Sequence, residues 1–409
     1  MELMNQPFTG QLGDRLIESL NSSDFHTLNI VVAFAKNSGV LRIKDALEKF
    51  RERGGKVNAY VGVDLGGTSY EALTALLLNT DSLNVVHSEK AQTFHAKIYQ
   101  FLGKDKGLMV VGSHNLTGGG LWTNFESSVI ITVNRASVEE MRVLRGIDDY
   151  LGKLTSLKDS LMSIGAQDDI DKLLQNGYVF KEVAEQVRLA KAANKQTRTG
   201  KRLFGYGVTA KLPLVPTLKK KKTVTVSMTP VNTIPFSQDE GWQTIWFETK
   251  KLTGGSRNIL DLSMKSLVER GDPTGTPFDL REPGFMRGGV GFFGLDPIDT
   301  GKTKNITLNF EGVDYTGNTI LYPAGGKANG TWRLQIKGIS SSGVKITDAF
   351  RAKGKENYLV EKVITFNKIE DDYYSISVSP ESELEDFEEA SRILARNGSG
   401  RNSKRLGLL

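Results

Sequence analysis

Apolar residues in this chain keep two different rhythms, and the change comes near residue 223. In the first part, compact apolar runs alternate with stretches that repeat every three to four residues. LNIVVAFA (28–35) reads as a buried strand and VLRIKDALEKFRERGG (40–55) as an amphipathic helix stopped by glycine. KVNAYVGVD (56–64) reads as a second strand and TSYEALTALLLN (68–79) as a second helix, with Thr68 or Ser69 as its N-cap. LNVVHS, FHAKIYQF, GLMVVGS and FESSVIITV follow as strands, and residues 136–195 read as mainly helical. This order predicts an α/β domain, a mixed sheet flanked by helices. Beyond residue 223 the segments KNITLNFEG, NTILYPA, TWRLQIKG, GVKIT, LVEKVITF and YYSISVS alternate with period two between Gly-rich turns. That texture predicts a mainly-β barrel or sandwich. With 409 residues, the chain can build two or three separate cores.

Charge divides the chain at the same place. Residues 1–186 hold 19 Lys/Arg against 23 Asp/Glu, and residues 223–409 hold 23 against 24. Residues 187–222 hold 11 Lys/Arg and no acid, ending in the run Lys219, Lys220, Lys221 and Lys222. Such a block is either a solvated linker or an arm that tracks a polyanion, and one segment can do both. No apolar run approaches 18 residues, which predicts no membrane span. The first residues lack a basic-then-apolar leader, and cysteine is absent, so disulfides and thiolate metal sites are excluded and a cytoplasmic location is expected.

The chemistry is concentrated in FHAKIYQF and GLMVVGSHNLTGGGLWTNFESSVIIT. Strict alternation puts His95, Lys97 and Tyr99 on one face of the expected strand, and Ser113 and Asn115 can also share a face. Phosphodiester cleavage needs a nucleophile, a proton for the leaving oxygen and positive charge on the non-bridging oxygens. Imidazole can supply the first two, Lys97 the charge, and Ser113 and Asn115 further donors. Glu126 can hold an imidazole in one tautomer by accepting its second N–H.

At His95-x-Lys97 and Gly112-Ser113-x-Asn115 the sequence resembles the phospholipase D superfamily. VVAFAKNSGVLRIKDALEKF, VGVDLGGTSYEAL and FHAKIYQFLG…GSHNLTGGGL resemble the NgoFVII-type restriction endonucleases within it, over roughly residues 25–135. The superfamily pattern places an Asp after the Lys with four residues between them. Here that position is Leu102, with Asp105 out of register in a turn, so Glu126 is the expected orienting carboxylate.

The chain has four histidines: His95 fills the HxK motif, His114 takes the variable position of GSxN and points away on an extended chain, and neither His26 nor His87 sits in a second HxK. The resemblance therefore implies a homodimer in which two copies of His95 meet, one attacking phosphorus and the other protonating the leaving oxygen, through a phosphohistidine and without a metal or cofactor. It further implies a phospholipase D-like nuclease domain over 1–186 and a basic linker over 187–222. Residues 223–390 are then a pseudobarrel that reads double-stranded DNA, followed by a disordered tail over 391–409. The implied partners are DNA, a second copy, a cognate methyltransferase and, in some relatives, an ATP-driven translocase.

In TWRLQIKG the polar residues share one strand face. Arg333, Gln335 and Lys337, with Arg257 in GGSRN, are therefore candidate base or backbone contacts, against the alternative of an ordinary solvated surface. The stretch VGVDLGGTS resembles the phosphate loop of sugar kinases, but it follows the second strand rather than the first and is expected to be a tight turn near the site. Two other functions compete with the nuclease: a phospholipid or cardiolipin phosphotransferase with the same motif, and a non-catalytic DNA-binding protein with a degenerate site.

Overall fold

The computed structural model describes residues 1–90, 92–195, 207–208, 210–216, 243–250, 258–323 and 330–409. They form two compact units, Met1–Glu182 with Gly200–Pro216, and Val183–Thr199 with Thr217–Leu409.

The first unit is built in the order β1 (Glu2–Gln6), α1 (Leu12–Asn21), β2 (Phe25–Val32), α2 (Asn37–Glu52), β3 (Lys56–Gly62), α3 (Tyr70–Asn79), β4 (Ser82–Val86), β5 (Lys97–Gly103), β6 (Lys106–Gly112), β7 (Glu126–Asn134), α4 (Met141–Ser156), β8 (Leu161–Ile164) and α5 (Gln167–Gln175). The eight strands make one mixed sheet in the order β1-β7-β6-β5-β2-β3-β4-β8. Only β2–β3 and β3–β4 pair in parallel. The strand–helix alternation is thus observed. The sequence reading did not include β1, α1 or β8.

Local chemistry explains the elements. In α2 the residues Val40, Ile43, Leu47 and Phe50 recur at helical spacing and are buried against the sheet. The chain leaves this helix through Gly54 at φ 85°, a left-handed conformation that glycine adopts without a Cβ clash. Ser69 caps α3, its hydroxyl accepting the N–H of Ala72 at 3.1 Å. In β5 the buried Tyr99 and Phe101 join the core beneath α1 and α2, while Ile98 faces the cluster that includes Leu151 and Leu154 of α4. The sheet is therefore covered on both faces, and functional groups are left to its ends and loops.

The second unit takes in α6 (Glu182–Lys195) from Val183 onward. It continues through β9 (Thr244–Glu248), β10 (Ile259–Ser263), β11 (Lys265–Arg270), β12 (Phe285–Arg287), β13 (Thr303–Phe310), β14 (Val313–Leu321), β15 (Thr331–Gln335), α7 (Ile346–Gly354), β16 (Lys362–Glu370), β17 (Tyr373–Pro380), α8 (Leu384–Ala390), β18 (Ile393–Arg396) and β19 (Arg405–Leu408). Its sheet runs β10-β15-β14-β13-β17-β16-β9-β19-β18-β11-β12. The unit is mainly β, as the period-two pattern predicts.

Three expectations are corrected. GVKIT does not form a strand: Ile346 opens α7, burying Ile346 and Phe350. The tail over 391–409 is ordered, because β19 pairs with both β18 and β9 and buries Leu406 and Leu408 completely. Among the described residues of 187–222, several are packed rather than solvated. Val183 and Val187 of α6 pack with Trp246, Val363 and Phe387, and Pro213 accepts a hydrogen bond from the Arg42 guanidinium at 2.9 Å with Val215 buried beside it in the first unit. No helix among the described residues is long and apolar enough to cross a membrane.

Candidate active site

One end of the first sheet gathers the motif residues. Lys97 opens β5 opposite Val32 at the end of β2, and Gly112 ends β6 opposite Ser128 near the start of β7. Loops at these strand ends carry Phe34, His95, Ser113 and Asn115, and Glu126 opens β7. His95 and Ala96 precede β5 rather than belonging to it, so the expected shared strand face holds for Lys97 and Tyr99 but not for His95.

His95 is exposed, whereas Lys97 is buried to 8 % exposure. Lys97 Nζ lies 2.8 Å from His95 Nδ1 and 3.0 Å from the His95 carbonyl. Burial lowers the Lys97 ammonium from its usual value, and the Glu126 carboxylate draws it partly back up. Phe34 walls the pair: its ring is T-shaped to the imidazole with centroids 5.9 Å apart, and Lys97 Nζ stands 6.0 Å from its centroid. The Phe34 N–H donates to Asn115 Oδ1 at 3.1 Å, so the carboxamide oxygen is taken by the backbone.

Ser113 and Glu126 form the other side. The Ser113 hydroxyl donates to Glu126, and Ser113 exchanges hydrogen bonds with Ser127, N–H to carbonyl at 3.0 Å and Ser127 N–H to Oγ at 3.1 Å. The second Glu126 oxygen accepts from Asn124 Nδ2 at 3.3 Å. The expected contact between Glu126 and an imidazole is thus not made within one chain: this carboxylate orients Ser113. Its charge acts at a distance on Lys97, on Tyr99 and on His114. Burial first, then Glu126, pushes the Tyr99 hydroxyl far above its usual range, so it remains a neutral donor to the His114 carbonyl at 3.3 Å.

His114 is buried and turned away from Ser113 and Asn115. It donates from Nδ1 to the Gly120 carbonyl at 2.8 Å, and burial lowers its pKa, so it holds the glycine turn as a neutral ring. Gln6 does similar work from β1, its amide reaching the carbonyls of Gly119, Gly120 and Asn124 at 3.3, 3.2 and 3.1 Å. Sequence reasoning missed Gln6, Phe34 and Asn124. Phe34 was accessible through its place just past the β2 run. Gln6 acts through contacts more than a hundred residues away, which no local pattern records, whereas Asn124 lies two residues from the Glu126 it meets. Leu102 sits on β5 opposite Thr27 and Gly107, five residues along from Lys97 and about 16 Å further down the strand.

In the second unit Arg333 and Gln335 lie on the half-exposed face of β15, with Lys337 exposed just beyond it, while Trp332, Leu334 and Ile336 are buried. Asp261 of β10 stands opposite Arg333, its Oδ1 4.0 Å from the Arg333 Nε, and Lys337 donates to Gln335 Oε1 at 2.9 Å. Arg257 and Lys219, Lys220, Lys221 and Lys222 lie outside the described residues.

No family model matches the chain, and no curated protein matches it. Among solved structures it is similar to NucT from Helicobacter pylori, at 17% identity and TM-score 0.30 over 40% of this chain and 98% of that one. It is also similar to Nuc from Salmonella typhimurium, described as a phospholipase D family member, at 16% identity and TM-score 0.29 over 40% and 97% of the two chains. A third similarity is to a phosphatidylserine synthase from Haemophilus influenzae, at 12% identity and TM-score 0.27 over 40% and 41%. Overlap this limited transfers neither activity nor residue roles.

Proposed function

We propose that this chain is a DNA endonuclease of the phospholipase D type, and that His95 is its nucleophile. The observation that carries the reading is the meeting of an exposed imidazole, a buried ammonium and the Ser113 and Asn115 donors at one sheet end. An imidazole attacks phosphorus through a bare nitrogen. With Lys97 donating to Nδ1, the remaining proton of a neutral ring sits on Nε2, which is then a donor. Substrate must therefore draw Lys97 from the ring to a non-bridging oxygen. The proton then moves to Nδ1, and the Nε2 lone pair forms the N–P bond as the P–O bond to the leaving strand breaks.

The leaving oxygen needs a proton, and one chain contributes one motif imidazole. We assign that proton to His95 of a second copy, in imidazolium form. The same ring, now neutral, takes a proton from the water that attacks the phosphohistidine and restores the first His95. Lys97, Ser113 and Asn115 would stabilise the charge developing on the phosphoryl oxygens.

For DNA over lipid, the support is the cationic segment 187–222 and a mainly-β second unit with Arg333, Gln335 and Lys337 near one sheet edge. We read that unit as the sequence reader, with the Asp261 contact holding Arg333 until a base edge replaces it.

The test is plasmid cleavage in EDTA by the wild type and by His95→Ala, with sizing on DNA. Discrete fragments that the variant does not produce support the reading. Cleavage that needs a divalent metal, or that survives the substitution, overturns the mechanism. A strict monomer on DNA overturns the shared site, and hydrolysis of cardiolipin vesicles without DNA cleavage moves the activity to the lipid class.

A further inference from the structure

His95 lies in an irregular stretch ahead of β5, and its exposed ring is not oriented by burial. Lys97 meets its Nδ1 and Phe34 flanks it, while its main chain continues from the Phe94 peptide. Asp64, two residues past β3, is the group that reaches this peptide. Its side chain is 9% exposed, with Oδ2 accepting the Phe94 N–H at 2.9 Å and Oδ1 lying 2.7 Å from His87 Nδ1. The His87 ring is itself fixed. Its backbone N–H donates to Ser160 at 3.0 Å, and its edge packs on Tyr178 at 5.2 Å, whose hydroxyl donates to Glu89. One carboxylate thus ties the residue preceding His95 to the ends of β3 and β4.

The loop around Asp64 is shaped to the aromatic residues that flank the imidazole. A Cβ on Gly62 would stand 2.7 Å from the Ala33 carbonyl oxygen and 3.0 Å from the Phe94 ring. A Cβ on Gly67 would stand 2.1 Å from the Phe34 ring, the ring that walls His95 and Lys97. Thr68 closes the loop onto the site, donating to the Gly62 carbonyl at 2.6 Å and accepting the Ala35 N–H at 3.1 Å. The DLGGT stretch is a bed for Phe34 and Phe94.

We propose that Asp64, backed by His87, is a positioning residue that fixes the His95 imidazole by holding the Phe94 peptide. The pair takes no part in proton transfer at the phosphate. The His87 ring meets Asp64, Tyr178 and Glu89, whereas the His95 ring meets Lys97 and Phe34. The inference rests on the reading of His95 as the reacting group. Small displacements of such a group lower the rate without changing substrate affinity, by as much as about 100-fold for an ångström.

The test compares Asp64→Ala, Asp64→Asn and His87→Ala in the full chain. It measures kcat and KM for cleavage, and hydrogen–deuterium exchange at the Phe94 amide. In Asp64→Asn the carboxamide oxygen still accepts the Phe94 N–H, so kcat within about threefold of wild type is expected. Asp64→Ala is expected to lower kcat by about 10- to 100-fold at unchanged KM, with faster Phe94 exchange. His87→Ala, which keeps the Asp64 carboxylate, is expected to show the same two changes in smaller degree. If Asp64→Ala does not fold, His87→Ala carries the comparison. Wild-type kcat in a folded Asp64→Ala or in His87→Ala overturns the proposal, as does an Asn variant as impaired as the Ala variant. If the chain does not cleave phosphodiesters through His95, the exchange at Phe94 still reports the clasp, which separates the two failures.

Discussion

Lys97 folds back onto the residue it is meant to assist: its Nζ is 2.8 Å from Nδ1 of His95, with the Phe34 ring beneath both. The contact holds the ammonium in a buried place and the imidazole in the tautomer that donates from Nε2. A phosphate oxygen is a stronger acceptor for a cation than a neutral ring nitrogen, so substrate is the natural competitor for this hydrogen bond.

Removing that ammonium should be costly in kcat. Lys97→Met keeps most of the buried stem and deletes the charge, and a loss of about 10²- to 10³-fold is expected from one transition-state donor in a water-poor site. Single-turnover cleavage rates measure it. A loss confined to KM would show that Lys97 only gathers substrate.

The pH profile carries a sign that can be checked. Activity through the Lys97 ammonium is present while it is protonated and is lost as pH rises through its lowered pKa. Glu126 opposes that lowering. Glu126→Gln should therefore move the alkaline limb of kcat/KM to lower pH, while its carboxamide oxygen still accepts the Ser113 hydroxyl. A limb that stays in place, or moves up, would separate Glu126 from Lys97.

Much of the first unit was readable because its signals are local. The β2 and β3 runs, the α2 periodicity and the Ser69 cap are each contained within a dozen residues. The same holds for His95, Lys97, Ser113 and Asn115, which adjacent strand ends bring together. What escaped depends on distant partners. Glu126 pairs with Ser113 because the β6–β7 register sets Gly112 against Ser128, and register is not written in either strand alone. The last residues, NGSGRNSKRLGLL, look polar and glycine-rich, yet the short apolar set Leu406–Leu408 finds a slot between β18 and β9.

That slot makes the C-terminal residues structural. Leu406 and Leu408 are fully buried, and burying each is worth about 1.5–3 kcal/mol, a large share of the stability of a typical domain. Deleting residues 405–409 also strips hydrogen-bonded neighbours from β9 and β18. The expected outcome is loss of the cooperative unfolding transition of the second unit in calorimetry, with that of the first unit retained. Leu406→Asp should act in the same direction. A truncated chain that kept both transitions would return these residues to a dispensable tail.

Stability should also depend on pH through a buried carboxyl pair. Glu71 Oε2 accepts the Glu182 N–H at 3.0 Å, and Glu182 Oε1 accepts the Asn37 N–H at 2.6 Å and the Ser69 hydroxyl at 2.9 Å. Burial, reinforced by the Glu182 charge, pushes the Glu71 carboxyl up to about 7 from an ordinary 4.5. Between those values the folded chain holds a proton that the unfolded chain has released, so stability falls as pH rises through the window and stays lower above it. The full effect is at most about 3 kcal/mol. Glu71→Gln keeps an acceptor for the Glu182 N–H and removes the charge. It should raise the urea midpoint at pH 8 while leaving it nearly unchanged at pH 5. An unchanged slope of stability against pH in this variant would assign the dependence to another group.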